Sequence, residues 1–298
     1  MNVQTQLLPV VLVLYPSFLV IIIVLIYAML LRRKVRVPVK DKLLRSPGET
    51  LRRKLEKFDE QWVASFFEIL IFGPACFLTF RLFAMMRPQS PRLVTEFYLF
   101  QGFVIVAVVI VSWKTIAALR RARNDSLGFR GERAVGEELN KLMLDGCLVY
   151  HDVPGEGAWN VDHVVVAPTG VYAIETKTRS KDKCAKDRKD YEVVYDGHTL
   201  QFPNWNDTHG IDQAKANAKW LAKHLSNALA EEIKSIPILT LPGWYVTSSV
   251  RPSGNELRVL NHKQIRSVII DGRTPVLDDK RIKQIGYQLE LKCRDVEF

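Results

Sequence analysis

Three residues in the stretch VDHVVVAPTGVYAIETKTRS, Val161 to Ser180, do not match their apolar surroundings: Asp162, Glu175 and Lys177. The stretch reads as two strands joined by a turn at Pro168–Thr169–Gly170. Side chains alternate along a strand, so Asp162 shares a face with Val164 and Val166. On the second strand Glu175 and Lys177 share a face with Val171 and Ala173. If Pro168 and Thr169 form the loop, Asp162 faces Glu175; if Thr169 and Gly170 form it, Asp162 faces Lys177. Either register gathers all three polar side chains on one face, at the end away from the turn. Two carboxylates side by side repel unless something compensates. Oxygen ligands at that spacing suit Mg²⁺ or Mn²⁺, which take one or two carboxylates plus waters and phosphate oxygens. A neighbouring lysine can orient a water or stabilise charge developing on phosphate. A buried ion pair of one acid with Lys177 is the plainer alternative.

Two helices must surround that hairpin. In GERAVGEELNKLML, Glu132 stands three residues before Val135 and seven before Leu139, on the apolar stripe of its helix. A charge there needs a partner. Glu137 and Glu138 lie off the stripe and read as surface. In DQAKANAKWLAKHLSNAL the stripe is Ala214, Ala218, Leu221, Leu225 and Ala228, with Asp212 as an expected cap. Gln213 and Asn217 flank it one turn apart, as an amide pair able to hold a carboxylate, a water or a phosphate. CLVYHDV, GWYVTSS, LRVL and SVII read as strands, and DDKRIKQIGYQLELK as a closing helix. The order predicts an α/β (α+β) domain of three layers over residues 124–298.

Taken together, GFRGERAVGEEL, VDHVVVAPTGVYAIETKT, FPNW and QAKAN resemble the NERD, or nuclease-related, domain of the PD-(D/E)xK nuclease superfamily, over residues 128–230. The resemblance implies a restriction-endonuclease-like core with a central mixed sheet. It implies a metal-dependent nuclease whose Asp162 and Glu175 bind Mg²⁺ or Mn²⁺. Glu132 would be the helix acid at the same metal, Lys177 would act on the water or transition state, and Gln213 would be the supporting amide. The implied partner is nucleic acid, DNA ahead of RNA. The superfamily's proline before the first acid is Val161 here. His163 points to the opposite face of its strand and is expected to be structural. The run KTRSKDKCAKDRK, with seven basic residues and two acids, could grip a phosphate backbone or form a solvated loop. Trp205, Tyr191 and Tyr195 could stack on bases or pack in a core. A binding or signalling module that keeps the fold without cleavage is the alternative function.

The net charge of +10 does not come from this domain. Residues 124–298 hold 24 Lys+Arg and 25 Asp+Glu, so the basic excess lies in residues 1–123. Those residues read as a membrane region with three helices, at 7–31, 62–86 and 97–119, and a basic loop at 32–61. Leu7 to Leu31 carries no charge over 25 positions, enough to span a bilayer as an uncleaved anchor. Glu68 and Arg81 interrupt the second run, and Glu68 reads as lying near the interface. Eleven Lys+Arg in residues 32–57 and a cluster at Lys114–Arg123 place both segments on the cytoplasmic side. The expectation is a multi-pass protein of a bacterial inner membrane, in contact with the lipid bilayer, its C-terminal domain in the cytoplasm. The four cysteines are scattered without a CxxC pair, which argues against a zinc site or a disulfide framework.

Overall fold

The computed structural model describes residues 26–27, 41–60, 62, 93–157, 159–181, 191–271 and 274–296. The chain divides into two compact units, one of Met1–Asp41, Trp62–Trp113 and Glu297–Phe298, the other of Lys42–Gln61 and Lys114–Val296.

In the second unit, β2 (Leu148–Pro154), β3 (Asn160–Ala167) and β4 (Gly170–Thr176) form an antiparallel meander. Beside β4 runs β8 (Ser235–Thr240), parallel to it, and then β10 (Arg258–Leu260), parallel to β8. The sheet is therefore mixed, in the order β10–β8–β4–β3–β2. Strand alternation splits its residues between two cores. Val164, Val166, Val171 and Ala173 pack against α3 (His209–Leu229) and α5 (Asp279–Cys293), through Leu221, Leu225, Ile285 and Leu289. Val165, Tyr172 and Ile174 pack on the other face against Val135 and Leu139 of α2 (Leu93–Asn140) and Ile265 and Ile269 of α4 (Ile265–Ile269). Each fully buried Leu, Ile or Val contributes about 1.5–3 kcal/mol relative to exposure. The helix–sheet–helix sandwich is the expected three-layer core. A third core lies where a small sheet, β7 (Asn206–Asp207), β6 (Leu200–Gln201), β5 (Glu192–Tyr195) and β9 (Tyr245–Ser248), meets the start of α3 and the end of β8.

Two local expectations are corrected. SVII is not a strand: Ile265–Ile269 is the short helix α4, which buries Ile265 and Ile269 at one-turn spacing. Asp212 does not cap α3, because the helix already begins at His209, with Thr208 in the N-cap position. Of the two alternatives for Tyr195, stacking on bases or packing in a core, the structure shows the core packing. Tyr195 is buried on β5 and donates its hydroxyl to the Gly197 carbonyl at 3.0 Å.

Residues 42–60, read in the sequence as part of a basic loop whose 52–62 stretch is either an amphipathic helix or a solvated linker, fold with this unit. The strand β1 (Leu43–Leu44) pairs antiparallel with β11 (Arg294–Val296), and residues 49–60 form helix α1. The anchor is Asp152, fully buried on β2 with a left-handed φ of 52°. Its Oδ2 accepts from Arg45 at 2.8 Å and from the Thr50 hydroxyl and backbone N–H at 2.7 and 3.1 Å. Its Oδ1 accepts from Asn160 Nδ2 at 2.6 Å. A carboxylate at a helix start satisfies free N–H groups and the helix dipole, so Asp152 caps α1 from across the fold.

The helix α2 runs unbroken for 48 residues. Among the described residues it is the one helix long and apolar enough to cross a membrane, judged by length and composition. The other expected spans, 7–31 and 62–86, lie outside the described residues apart from Ile26, Tyr27 and Trp62, as do Glu68 and Arg81. A multi-pass arrangement is therefore not supported.

Candidate active site

The hairpin register resolves the first ambiguity. His163 pairs with Ile174 and Ala167 with Gly170, so Pro168 and Thr169 form the loop. Continued by one residue, this sets Asp162 opposite Glu175. Both point to the α3 side of the sheet, and both are buried.

Glu175 is the hub. Its Oε1 accepts from Lys177 Nζ at 2.7 Å and its Oε2 from Asn217 Nδ2 at 2.7 Å. Lys177 Nζ also donates to Gln213 Oε1 at 2.6 Å. The amides of α3, one turn apart, thus hold the two charged residues of the ETK sequence from the side. The sequence placed both amides here, and Asn217 joins the expected set by direct contact. The ion pair of the plainer reading is present too, but it leaves Asp162 unexplained. Asp162 Oδ2 accepts from the backbone N–H of Thr176 at 2.8 Å, which ties β3 to β4 at its last residue.

Glu132 comes from the other layer. Gly131 lets α2 approach the strand end closely: a Cβ there would collide with the Thr178 hydroxyl. Gly48, with φ 74°, brings the turn before α1 against Phe129 and the Glu132 carboxylate. Glu132 is buried, and its Oε2 has no hydrogen-bond partner.

The electrostatics are those of an undercompensated acidic site. Burial, then the negative charge of Asp152 and Glu175, pushes the Glu132 carboxyl up to about 8. Burial, then Glu175 and Glu132, holds Asp162 well above the usual carboxylate range. Burial raises Glu175 as well, against the opposing pull of Lys177. One lysine faces three acids, and Glu132 Oε2 is an orphaned acceptor. A divalent cation fits such a donor set, because each carboxylate oxygen in a hydrogen bond keeps a further lone pair. Among the described residues, no three His, Cys, Asp or Glu side chains stand close enough to hold a metal ion unaided. The fit is thus the Mg²⁺ kind, in which one or two carboxylates are completed by water and phosphate.

Around the site, Gly210 at the start of α3 lies against the Lys177 stem, where a Cβ would stand 3.1 Å from Cγ. Arg179 pairs with Asp207 at 2.9 Å, and its guanidinium lies 5.7 Å from the centre of the Trp205 ring, itself stacked on Phe202 at 3.9 Å. Residues 182–189 of the basic run lie outside the described residues. His163 is fully buried on the opposite face, as alternation required. Its Nδ1 lies 2.9 Å from His151 Nδ1, and His151 Nε2 lies 3.0 Å from Asn140 Oδ1. With that amide oxygen as acceptor, His151 carries its proton on Nε2, so His163 donates through Nδ1. Burial lowers both rings, His151 to about 4, so both are neutral at pH 7. The clasp at Asp152 was missed; its signal was an acid inside the apolar strand sequence LVYHDVP.

Residues 127–242 match the model of the nuclease-related domain family, NERD. No curated protein matches the chain. Among solved structures it is similar to SfsA of Pyrococcus furiosus in complex with Ca²⁺, at 14% identity and a TM-score of 0.20. That match covers 56% of this chain and spans about half, 52%, of the other.

Proposed function

The chain carries a nuclease-related domain over residues 127–242, and on that premise we propose that it is a membrane-anchored, metal-dependent nuclease. It would hydrolyse phosphodiester bonds of DNA, or of RNA, at the cytoplasmic face. The observation that carries the reading is the group of Asp162, Glu175 and Lys177 at one end of a buried hairpin, held by Gln213 and Asn217. Asp162 and Glu175 would hold Mg²⁺ or Mn²⁺, and Glu132, which forms no three-acid group with them, would act from α2 on a water of that ion. When bound, the ion supplies positive charge to the acids, polarises the phosphate and favours deprotonation of the attacking water.

The protein's own groups do the rest. Asn217 fixes the Glu175 carboxylate by one oxygen, so its other oxygen has a set direction. Lys177 carries a flexible ammonium with three N–H donors, two of them held by Glu175 and Gln213. The third is free to meet a water or a phosphate oxygen. In that position the charge stabilises the pentavalent phosphate more than the ground state, which is what accelerates the step. The apolar run of α2 is the anchor. The near-neutral charge of residues 124–298 favours the second reading, a module that binds without cutting. Mg²⁺ calorimetry separates the two. Heat of binding that disappears in Asp162→Ala and Glu175→Ala supports the metal site, and no binding at millimolar Mg²⁺ favours the module.

A further inference from the structure

We propose that a groove on the far flank of α3 grips the phosphate backbone of one nucleic-acid strand; this rests on the nuclease reading above. The groove has a volume of about 530 Å³ and runs between α3 and the start of β8. Lys215, Lys219 and Lys223 form one wall and Lys234 stands on the other, over a floor that includes Ala218 and Pro237.

Three observations point to a linear polyanion. First, the α3 lysines recur every four residues, which at 1.5 Å rise sets them about 6 Å apart in a row of about 12 Å. One strand of a duplex carries a charge every 3.4 Å, so the row faces about three phosphates. Second, the three α3 lysines have no carboxylate partner among the described residues. Some surface cations elsewhere in the domain do have one, as Lys141 has with Glu138 at 2.8 Å and Arg266 with Asp145 at 2.9 Å. In a domain with one more acid than base, four lysines against the single Glu232 of the rim, which lies 3.9 Å from Lys234, is a concentrated excess. Third, the Ser235 hydroxyl lines the groove and is buried without a partner. It can donate to a phosphate oxygen. The lining offers no aromatic ring on which a base could stack, so the grip is independent of sequence.

The groove and the site share α3. Gln213 and Asn217 lie on its flank towards Glu175, and the lysines on the other flank. A helix is about 10 Å across, so a strand held in the groove reaches Lys177 by crossing the start of α3. Short diesters would bypass the grip, whereas oligonucleotides would use it.

The test uses the full chain in detergent with Glu175→Gln, which keeps the probe intact, and a fluorescent single-stranded 20-mer over a range of salt. The triple variant Lys215→Ala/Lys219→Ala/Lys223→Ala is expected to bind at least tenfold more weakly at low salt. Its slope of log affinity against log salt should flatten by about 2, at about 0.7 for each phosphate no longer neutralised. Replacement of Lys263, Lys280 and Lys283, all exposed and outside the groove, should change affinity less than twofold. Equal losses in the two triple variants, or none in the first, would overturn the proposal. So would a triple variant that loses a short-chain anionic phospholipid but keeps the oligonucleotide. Hydrolysis of bis(p-nitrophenyl) phosphate, with Glu175 restored, should be unaffected by the groove variant. If the wild type cleaves neither diester nor oligonucleotide while the slope difference holds, the groove stands and the nuclease reading falls.

Discussion

At the scale of single residues, burial keeps three acids together and protonated beyond their ordinary range. Glu132, Asp162 and Glu175 all bind protons more tightly in the folded domain than in the unfolded chain. A raised folded-state value means stability present at acid pH and lost as pH rises through that value. For Glu132 the window runs from its ordinary 4.5 to about 8. Without divalent cation, the contribution of these groups to the melting temperature should therefore decline between about pH 5 and pH 8. Added Mg²⁺ should raise the melting temperature more at pH 8 than at pH 5, since the ion competes with protons. A Mg²⁺ effect that is larger at pH 5 would contradict the shared acidic site. Asp162 and Glu175 were legible in the sequence because period-two alternation fixes the face of a strand residue, and Glu132 because helical spacing sets it on an apolar stripe. Asp152 was not, because its partners Arg45 and Thr50 are more than one hundred residues away in the chain.

At the scale of elements, close approaches decide the geometry. Gly131 is inside a helix, where alanine normally gains about 1 kcal/mol over glycine. Here the added methyl meets Thr178, in the segment that follows Lys177. Gly131→Ala should instead destabilise by about 1–3 kcal/mol, the usual cost of overpacking, as read by chemical denaturation. Adding Thr178→Ala should recover part of that loss by removing the hydroxyl that the methyl meets. Asp152→Ala should cost about 1–3 kcal/mol, because it removes the cap of α1 and one partner of Arg45, which keeps Asp295. Proteolysis would then cut the 42–60 segment first. The long periodic helices and the hairpin were readable for the same reason, that each buries one face over many residues. β8 was missed because Pro237 sits inside it, and proline argues against a central strand. SVII misled because four apolar residues fit a strand and a short buried helix equally well.

At the scale of the whole molecule, the basic excess and the chemistry separate. Residues 124–298 are almost neutral and carry the candidate site, and the excess charge lies in the first 123 residues. Composition made that division plain, but not the return of residues 42–60 to the nuclease-related unit, which depends on pairing across the fold. A fragment that begins at residue 124 would lack α1, the partners of Asp152 and the strand that pairs with β11. It should melt lower than a fragment that also supplies residues 42–61. The nuclease reading requires Glu175 and its neighbours to form a hydrolytic metal site. The decisive experiment is cleavage of labelled DNA and RNA by the full chain with Mg²⁺ or Mn²⁺, beside Glu175→Ala and Lys177→Ala, with folding checked by circular dichroism. A hydrolytic site at Glu175 requires metal-dependent cleavage by the wild type and a loss of at least a hundredfold in both folded variants. Undiminished cleavage by both would contradict it.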